Sequence, residues 1–134
     1  MAKTRIGSNA IYSGNQLGLS IIGDHCYAYN EKGCTNTDIT LLKFSTGKYY
    51  IVAKVQFGYV ENAANSFDYS ILFNGNSIAG YLVGGAGTQA NDNQDNAPLN
   101  IIIPPLTDVQ ITAKNISSAD ERDQIATLTG RVYA

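Results

Sequence analysis

Few side chains in this 134-residue sequence could act as a nucleophile, general base or metal ligand. His25 is the one histidine, and a Ser–His–Asp or Cys–His arrangement would need it as the base. It lies in a predicted strand, where a surface or edge-strand histidine is the ordinary interpretation. We therefore expect no histidine-based hydrolytic chemistry.

Two groups of carboxylates offer the other route to catalysis. Asp92 and Asp95 share one polar segment, and Asp120, Glu121 and Asp123 share another. A glycosidase needs two such groups as acid and as base or nucleophile. Both segments are rich in Asn, Ser and Gly, which is typical of solvated turns. We expect loops here and no catalytic residues, so the protein is predicted not to be an enzyme.

Metal and cofactor sites have equally little support. His25 has no partner at the ligand spacing of a zinc site. The segment Asp92–Asp95 resembles a calcium loop but lacks its central glycine and terminal glutamate. The glycines of GGAGT, at 84, 85 and 87, are not followed by the Lys-Ser/Thr pair of a phosphate-binding loop. We expect no metal and no cofactor.

Cys26 and Cys34 close the segment CYAYNEKGC, which reads most simply as a hairpin. A disulfide would need a turn centred on Asn30, because bridged Cα atoms lie within about 7 Å of each other. The turn-forming residues Asn30–Gly33 centre further along the chain. This register favours two free thiols, with a bridge as the alternative.

Charge and hydropathy argue against two classes of partner. Net charge is −2 and charged residues make up 15% of the chain. Lys3, Lys43, Lys48 and Arg131 are scattered, whereas a nucleic-acid binder concentrates its cations. No apolar run approaches the roughly 18 residues of a membrane span, and the first residues lack the apolar core of a secretory signal. We expect neither a nucleic-acid nor a membrane partner, and a protein that stays where it is made.

The elements that must position these side chains are strands. From Lys48 to Val60 every second residue is apolar or aromatic: Tyr49, Ile51, Ala53, Val55, Phe57 and Tyr59. The alternation resumes from Phe67 to Phe73 and meets Asn74-Gly75, the dipeptide favoured in two-residue hairpins. A period of two gives each strand one buried and one wet face, as in a sheet packed on another sheet.

Eight or nine such segments, separated by turn-forming residues, predict an all-β antiparallel sandwich, and none has a helical period. A jelly roll of about eight strands fits best. An immunoglobulin-like Greek key is the alternative, although it would lack the usual tryptophan. Residues 1–15 are aperiodic and predict an N-terminal arm, with the sandwich domain spanning 16–134. The segment from Gly84 to Ala97 predicts a long, mobile or protruding loop.

Several side chains point to contacts with other proteins. Tyr50, Val52 and Val60 lie on the nominally wet face of their strand, so they are candidates for an oligomer interface. The arm carries cations and apolar residues that could anchor it to a partner: Lys3, Arg5, Ile6, Ile11 and Tyr12. Of the nine tyrosines, we expect Tyr49, Tyr59 and Tyr69 in the core. The tyrosines that suit an interface are Tyr27, Tyr29, Tyr50, Tyr81 and Tyr133.

Five segments resemble a family of small structural proteins of tailed phages, especially marine and freshwater ones. They are GDHCYAY, FSTGKYYIVAKVQFGYVE, FNGNSIAGY, LNIIIPPLTDVQITAKN and LTGRVYA. The chain is similar here to jelly-roll capsid decoration, or cement, proteins, which assemble on the outside of an icosahedral head. More distantly, Phe44, Gly47 and Tyr50 resemble the strand entry in the trimeric heads of complement and tumour-necrosis-factor-like proteins.

The resemblance implies a virion protein without enzymatic activity. It implies a homotrimer that binds the major capsid protein, on virions assembled in the host cytoplasm. A tail-fibre tip or receptor-binding head that recognises a host surface ligand is the alternative. A carbohydrate-active enzyme is the third possibility.

Overall fold

The alternation of apolar and polar residues produces strands throughout the described chain. The structure is a computed structural model and describes residues 19–59, 66–84, 98–116 and 121–134. Its strands are β1 (Ser20–Ile22), β2 (His25–Cys34), β3 (Ile39–Ser45), β4 (Tyr50–Tyr59), β5 (Ser66–Phe73), β6 (Asn76–Gly84), β7 (Leu99–Ile103), β8 (Asp108–Asn115) and β9 (Arg122–Tyr133).

The strands form two antiparallel sheets. One has the order β1-β2-β9-β4-β7 and the other the order β3-β8-β5-β6. Consecutive strands from β2 to β5 alternate between sheets, as do β6 to β9, and this winding is the jelly roll. The extra strand β1 extends the first sheet beside β2. The strand order confirms the predicted jelly-roll sandwich and excludes the immunoglobulin-like alternative.

The hairpin between β5 and β6 forms where the sequence predicts it. Asn74 and Gly75 both have positive φ, 53° and 83°, and Phe73 pairs with Asn76. A two-residue turn of this type needs positive φ at both central positions, which Asn and Gly adopt most readily. The Asp108 amide donates a hydrogen bond to the side-chain oxygen of Asn74 at 2.8 Å, and this bond ties the turn to β8.

The inner faces of the two sheets form one core. Its largest fully buried side chains come from both sheets: Tyr69, Phe44, Phe67, Leu41, Leu42, Ile51, Ile71, Ile103, Ile111, Leu128, Gln124 and Val55. The rings of Phe57 in β4 and Tyr69 in β5 stack across the interior with centroids 4.2 Å apart. This packing confirms the predicted inner face of β4 from Tyr49 to Phe57.

A hydrogen-bonded group inside the core joins the two sheets. The Tyr69 hydroxyl of β5 lies 2.7 Å from the Gly58 carbonyl and 2.6 Å from Gln124 Oε1, both in the five-stranded sheet. Gln124 in turn donates from its amide nitrogen to the Asp123 carbonyl at 2.8 Å. A buried polar group is costly when it lacks a partner, so these bonds fix the relative positions of the sheets.

Two predicted boundaries are wrong. The segment CYAYNEKGC is not a hairpin, because β2 continues through Asn30–Gly33 and pairs with β9 from His25 to Cys34. Similarly, Asp123 lies in β9, which begins at Arg122, and not in the predicted solvated loop. The long ladder with β9 supplies partners for the backbone of β2, which outweighs the local turn preference of Asn, Lys and Gly.

Some predicted features lie outside the described residues. These are the arm over residues 1–15, Val60 and the segment 85–97 of the predicted loop. The side chain of Tyr59 is not described either.

Candidate interaction face

Asp24, in the turn between β1 and β2, contacts both His25 and Arg131. His25 Nδ1 lies 2.9 Å from one carboxylate oxygen of Asp24, and Arg131 donates to the other at 3.2 Å. That hydrogen bond from Arg131 is the main reason why the pKa of Asp24 lies below its usual value. His25 is exposed, whereas Cys26 is buried on the opposite face of β2. The contacts of Asp24 therefore tie the turn to β9, and His25 and Cys26 do not form a Cys–His dyad.

Both cysteines are free and buried, which confirms the favoured prediction. They lie on the same strand eight positions apart, so their Cα atoms are separated by roughly 26 Å. Burial raises the pKa of Cys26 to about 12 and that of Cys34 to about 11, where the charge of Asp38 adds to the increase. Protonated, inaccessible thiols are poor nucleophiles.

Of the candidate carboxylates, only Glu121 and Asp123 lie among the described residues, and Asp123 belongs to β9. Asp92, Asp95 and Asp120 lie outside the described residues. The Glu121 side chain lies over the Cα atom of Gly33, where a Cβ atom would stand. Among the residues that the structure describes, no three His, Cys, Asp or Glu side chains gather as a metal site. The same part of the chain contains no helix long and apolar enough to cross a membrane.

One end of the five-stranded sheet exposes a group of large apolar side chains. On its outer face Tyr50 pairs with Tyr133, and Val52 pairs with Ile102. The two tyrosine rings stack with centroids 5.2 Å apart. Val52 is 44% exposed and Ile102 is 62% exposed. We call these four residues the apolar corner, and two of them, Tyr50 and Val52, are predicted interface residues.

Leu106 extends the apolar surface at the same end of the sandwich. It is 71% exposed and adopts φ 56° in the connection that leaves β7. Its amide donates to the Gly47 carbonyl at 2.7 Å, in the loop that enters β4. A leucine in left-handed backbone costs free energy, and this loop holds it there with its side chain in solvent.

Sequence reasoning missed Ile102 and Leu106. A usable indication of the first exists, because Ile101, Ile102 and Ile103 are consecutive and the middle one must face away from its neighbours in a strand. No comparable pattern marks Leu106, whose position depends on the hydrogen bond to Gly47.

The tyrosines divide largely as predicted. Tyr49 and Tyr69 are buried. Tyr81 is half-buried, with its ring centroid 5.5 Å from that of Phe57, so it is mainly part of the core. The exposed tyrosines are Tyr27 at 45%, Tyr29 at 56%, Tyr50 at 37% and Tyr133 at 38%, and all four lie on the outer face of the five-stranded sheet.

Two adjoining depressions cross the middle of this outer face. The first has a volume of about 390 Å³, and its lining includes His25, Tyr27, Lys54, Asn100 and Arg131. The second has a volume of about 370 Å³ and includes Tyr29 and Thr127. Both are lined by Tyr27 and Thr129, so together they form one groove over β2 and β9. The first depression reaches on to β4 and β7 and includes Val52 of the apolar corner. We call this the tyrosine groove.

The outer face of the four-stranded sheet differs in chemistry. It presents mainly charged, hydroxyl and amide side chains: Lys43, Ser45, Asp68, Ser70, Asp108, Gln110, Thr112 and Lys114. Large exposed apolar residues in this sheet are confined, within the described residues, to Ile78 and Leu82 of the edge strand β6.

Comparisons with known proteins find likenesses in solved structures only. No family model and no curated protein matches the chain. A Bacillus endospore appendage protein, from a family of disulfide-linked pili, is 7% identical over 92% of this chain and 96% of its own, with TM-score 0.45. A protein chain in the VP2 subviral particle of infectious bursal disease virus is 15% identical over 78% of this chain, with TM-score 0.42. The match covers only 30% of that protein chain. A protein chain in the structure of the Gt strain of that virus is 12% identical over 92% of this chain and 35% of its own length, with TM-score 0.41.

Proposed function

We propose that this chain is a phage virion structural protein, a decoration or cement protein that binds the outside of an icosahedral head and stabilises it. The observation that carries the proposal is the apolar corner, an exposed group of Tyr50, Val52, Ile102 and Tyr133 at one end of a jelly roll. Jelly rolls build viral capsid domains, which is an argument by analogy of fold. The sequence resemblance to phage decoration proteins supports the same role.

The corner suits a contact with another protein. Apolar patches that remain on a folded chain mark interaction sites when they are contiguous. Tyrosine is enriched at interfaces, because its ring supplies contact area at little cost in conformational entropy. The corner lies next to the edge strand β7, where a neighbouring subunit can approach from the side.

The proposed assembly is a homotrimer that contacts the major capsid protein. The apolar corner would supply contacts between copies, and Val60, which lies outside the described residues, is a further candidate. The arm residues Lys3, Arg5, Ile6, Ile11 and Tyr12 would anchor the trimer to the capsid, a binding mode in which an extended segment orders on its partner. In this proposal the protein acts through its surface and catalyses no reaction, and it resides on the virion after assembly in the host cytoplasm.

Charge introduced at the corner tests the interface. Ile102→Lys should shift the protein from trimer to monomer in analytical ultracentrifugation at micromolar concentration, because a buried unpaired ammonium opposes association. Leu82→Lys is the matched control, since Leu82 has the same exposure of 62% on the other sheet. Equal sedimentation of both variants and the unmodified protein would contradict the proposed interface, as would a monomeric unmodified protein.

Attachment to the head needs a separate experiment. Deleting residues 2–12 should leave the oligomer intact but weaken its capture by capsids stripped of this protein. Undiminished capture of the truncated protein would rule out the arm as the anchor. Stoichiometry in purified virions separates the two structural roles: a decoration protein should be present in hundreds of copies per particle, and a tail-fibre tip in tens at most.

A further inference from the structure

We propose that the tyrosine groove binds an acidic oligosaccharide, a chain of sugars that carries carboxylate groups. This is a binding function beyond assembly. Of the apolar corner only Val52 also lines the groove, and the groups proposed to hold the ligand are other residues. The groove combines an aromatic surface, hydroxyl groups and cations on one sheet face. Each of its two depressions has the size of an ordinary small-molecule site.

The basic side chains lie at one end of the groove. His25, Arg131 and Lys54 line the first depression, and no aspartate or glutamate is among its described lining residues. Asp24 binds Arg131 from the side, which orients the guanidinium group and leaves its remaining donors for a ligand. Lysine and arginine donors form strong, charge-assisted hydrogen bonds with carboxylates.

The other end of the groove is lined by aromatic and hydroxyl side chains. Tyr27 and Tyr29 lie two positions apart on β2, so their side chains extend from the same face, about 7 Å from each other. Thr127 and Thr129 lie opposite them on β9 and add hydroxyl groups between the rings. Glu31 lies 3.5 Å from the Tyr29 hydroxyl and places a negative charge at this end. The carboxylate of a bound sugar would therefore lie at the Lys54 end, with uncharged parts of the ligand over the tyrosines.

The same features argue against other occupants. A nucleic acid needs many phosphate contacts, whereas this groove offers two permanent cations on a chain with net charge −2. A second copy docked with its groove facing this one would offer Lys54 and Arg131 no carboxylate from the groove, since none is among its described lining residues. Exposed tyrosines with polar neighbours suit the apolar faces and hydroxyl edges of a sugar ring.

Titration of the full chain with tetragalacturonate and with its methyl ester tests the charge requirement. Isothermal titration calorimetry should show saturable binding of the acid and binding of the ester weaker by at least about tenfold, since charge-assisted hydrogen bonds contribute more than neutral ones. No saturable binding of the acid at millimolar concentration would overturn the proposal. Equal affinity for the ester, or tighter binding of a single-stranded oligonucleotide, would overturn it too.

Two variants locate the site. Lys54→Gln and Tyr27→Ala should each weaken binding of tetragalacturonate by at least about fivefold, from the loss of a charged donor and of a ring surface. Lys43→Gln, on the outer face of the four-stranded sheet, is the matched control and should bind normally. Equal losses in Lys43→Gln and Lys54→Gln would mean unspecific attraction and would overturn the proposal. Unchanged sedimentation of the groove variants would separate this site from the proposed trimer contact.

Discussion

The outer faces of the two sheets differ more than their inner faces do. Both inner faces are apolar, and they pack together into one core. Outside, the five-stranded sheet exposes the apolar corner together with Tyr27 and Tyr29, whereas the four-stranded sheet exposes mainly lysine, aspartate, serine and threonine. A sandwich needs only its inner faces to fold, so folding does not require the difference outside. We infer that the protein works through one side.

The comparison of inner and outer faces depends first on which side chains of each strand face the core. Phe57→Ala and Ile71→Ala should each lower the free energy of unfolding by roughly 2–5 kcal/mol, the range for large-to-small changes in a core. Both side chains are buried, one in each sheet. Gln56 and Ser70 face away from the core, so Gln56→Ala and Ser70→Ala should lower the free energy of unfolding far less. Urea denaturation measures all four, and equal losses within each pair would mean that the assigned phase is wrong by one residue.

The link between the sheets gives the second largest effect. Tyr69→Phe removes the hydroxyl that contacts the Gly58 carbonyl and Gln124. We expect a loss of about 1–3 kcal/mol, because the buried partners stay without that hydrogen bond. Tyr29→Phe removes an exposed hydroxyl and should change stability little. If both variants unfold at the same urea concentration as the unmodified protein, the hydroxyl does not hold the sheets together.

Two glycines, one in each sheet, differ in how much space their surroundings leave for a side chain. A Cβ atom on Gly130 would lie 2.8 Å from the Val52 carbonyl oxygen, so Gly130→Ala must push β9 away from β4. The expected cost is roughly 1–3 kcal/mol, as for other overpacked sites. Gly80 in the four-stranded sheet meets nothing closer than 3.8 Å, and Gly80→Ala should be neutral or slightly stabilising. Thermal unfolding of the two variants compares them directly, and a smaller loss at Gly130 than at Gly80 contradicts the geometry.

Only the five-stranded sheet buries thiols, which predicts a smaller effect at high pH. Burial raises the pKa of Cys26 from its ordinary value of 9.0 to about 12. The folded state holds this proton more tightly, so its contribution to stability is complete below pH 9 and is lost as the pH rises towards 12. Cys26→Ala should therefore lose less stability than the unmodified protein between about pH 8 and pH 10.5. Parallel losses in urea titrations at the two pH values would show that the thiol does not contribute.

The smallest effect on folding is expected at the outer faces themselves. Ile102→Thr and Leu82→Thr should each change the free energy of unfolding by no more than about 0.5 kcal/mol, as is usual for exposed positions. If either variant loses several times that amount when unfolding is measured at a concentration where the protein is monomeric, its side chain belongs to the fold and not to a contact surface.

The strands of this protein were predictable because their evidence is local. Alternation from Tyr49 to Phe57 and the Asn74-Gly75 dipeptide specify a strand and a turn without reference to distant residues. The stretch Asn30–Gly33 was not predictable in this way. Its composition favours a turn, but ten consecutive pairings with β9 keep it extended. A local preference worth about 1 kcal/mol or less is easily outweighed by such a ladder.

The candidate interaction face shows the same limit. Tyr50 and Val52 could be identified from their phase alone. Their neighbours Tyr133 and Ile102 come from distant parts of the chain, and only the pairing of β4 with β9 and β7 brings them alongside. The tyrosine groove likewise joins residues of several strands, so no spacing within the sequence announces it.

The sequence by itself determined the fold class, the order of the strands along the chain and the scarcity of groups for catalysis, because composition and a period of two are properties of neighbouring residues. Tertiary structure decided which strands became neighbours, and therefore which exposed residues form one surface. It also decided that Cys26 and Cys34 lie far apart on a single strand. These outcomes depend on pairing energies summed over the length of each ladder, and a local window of sequence does not contain them.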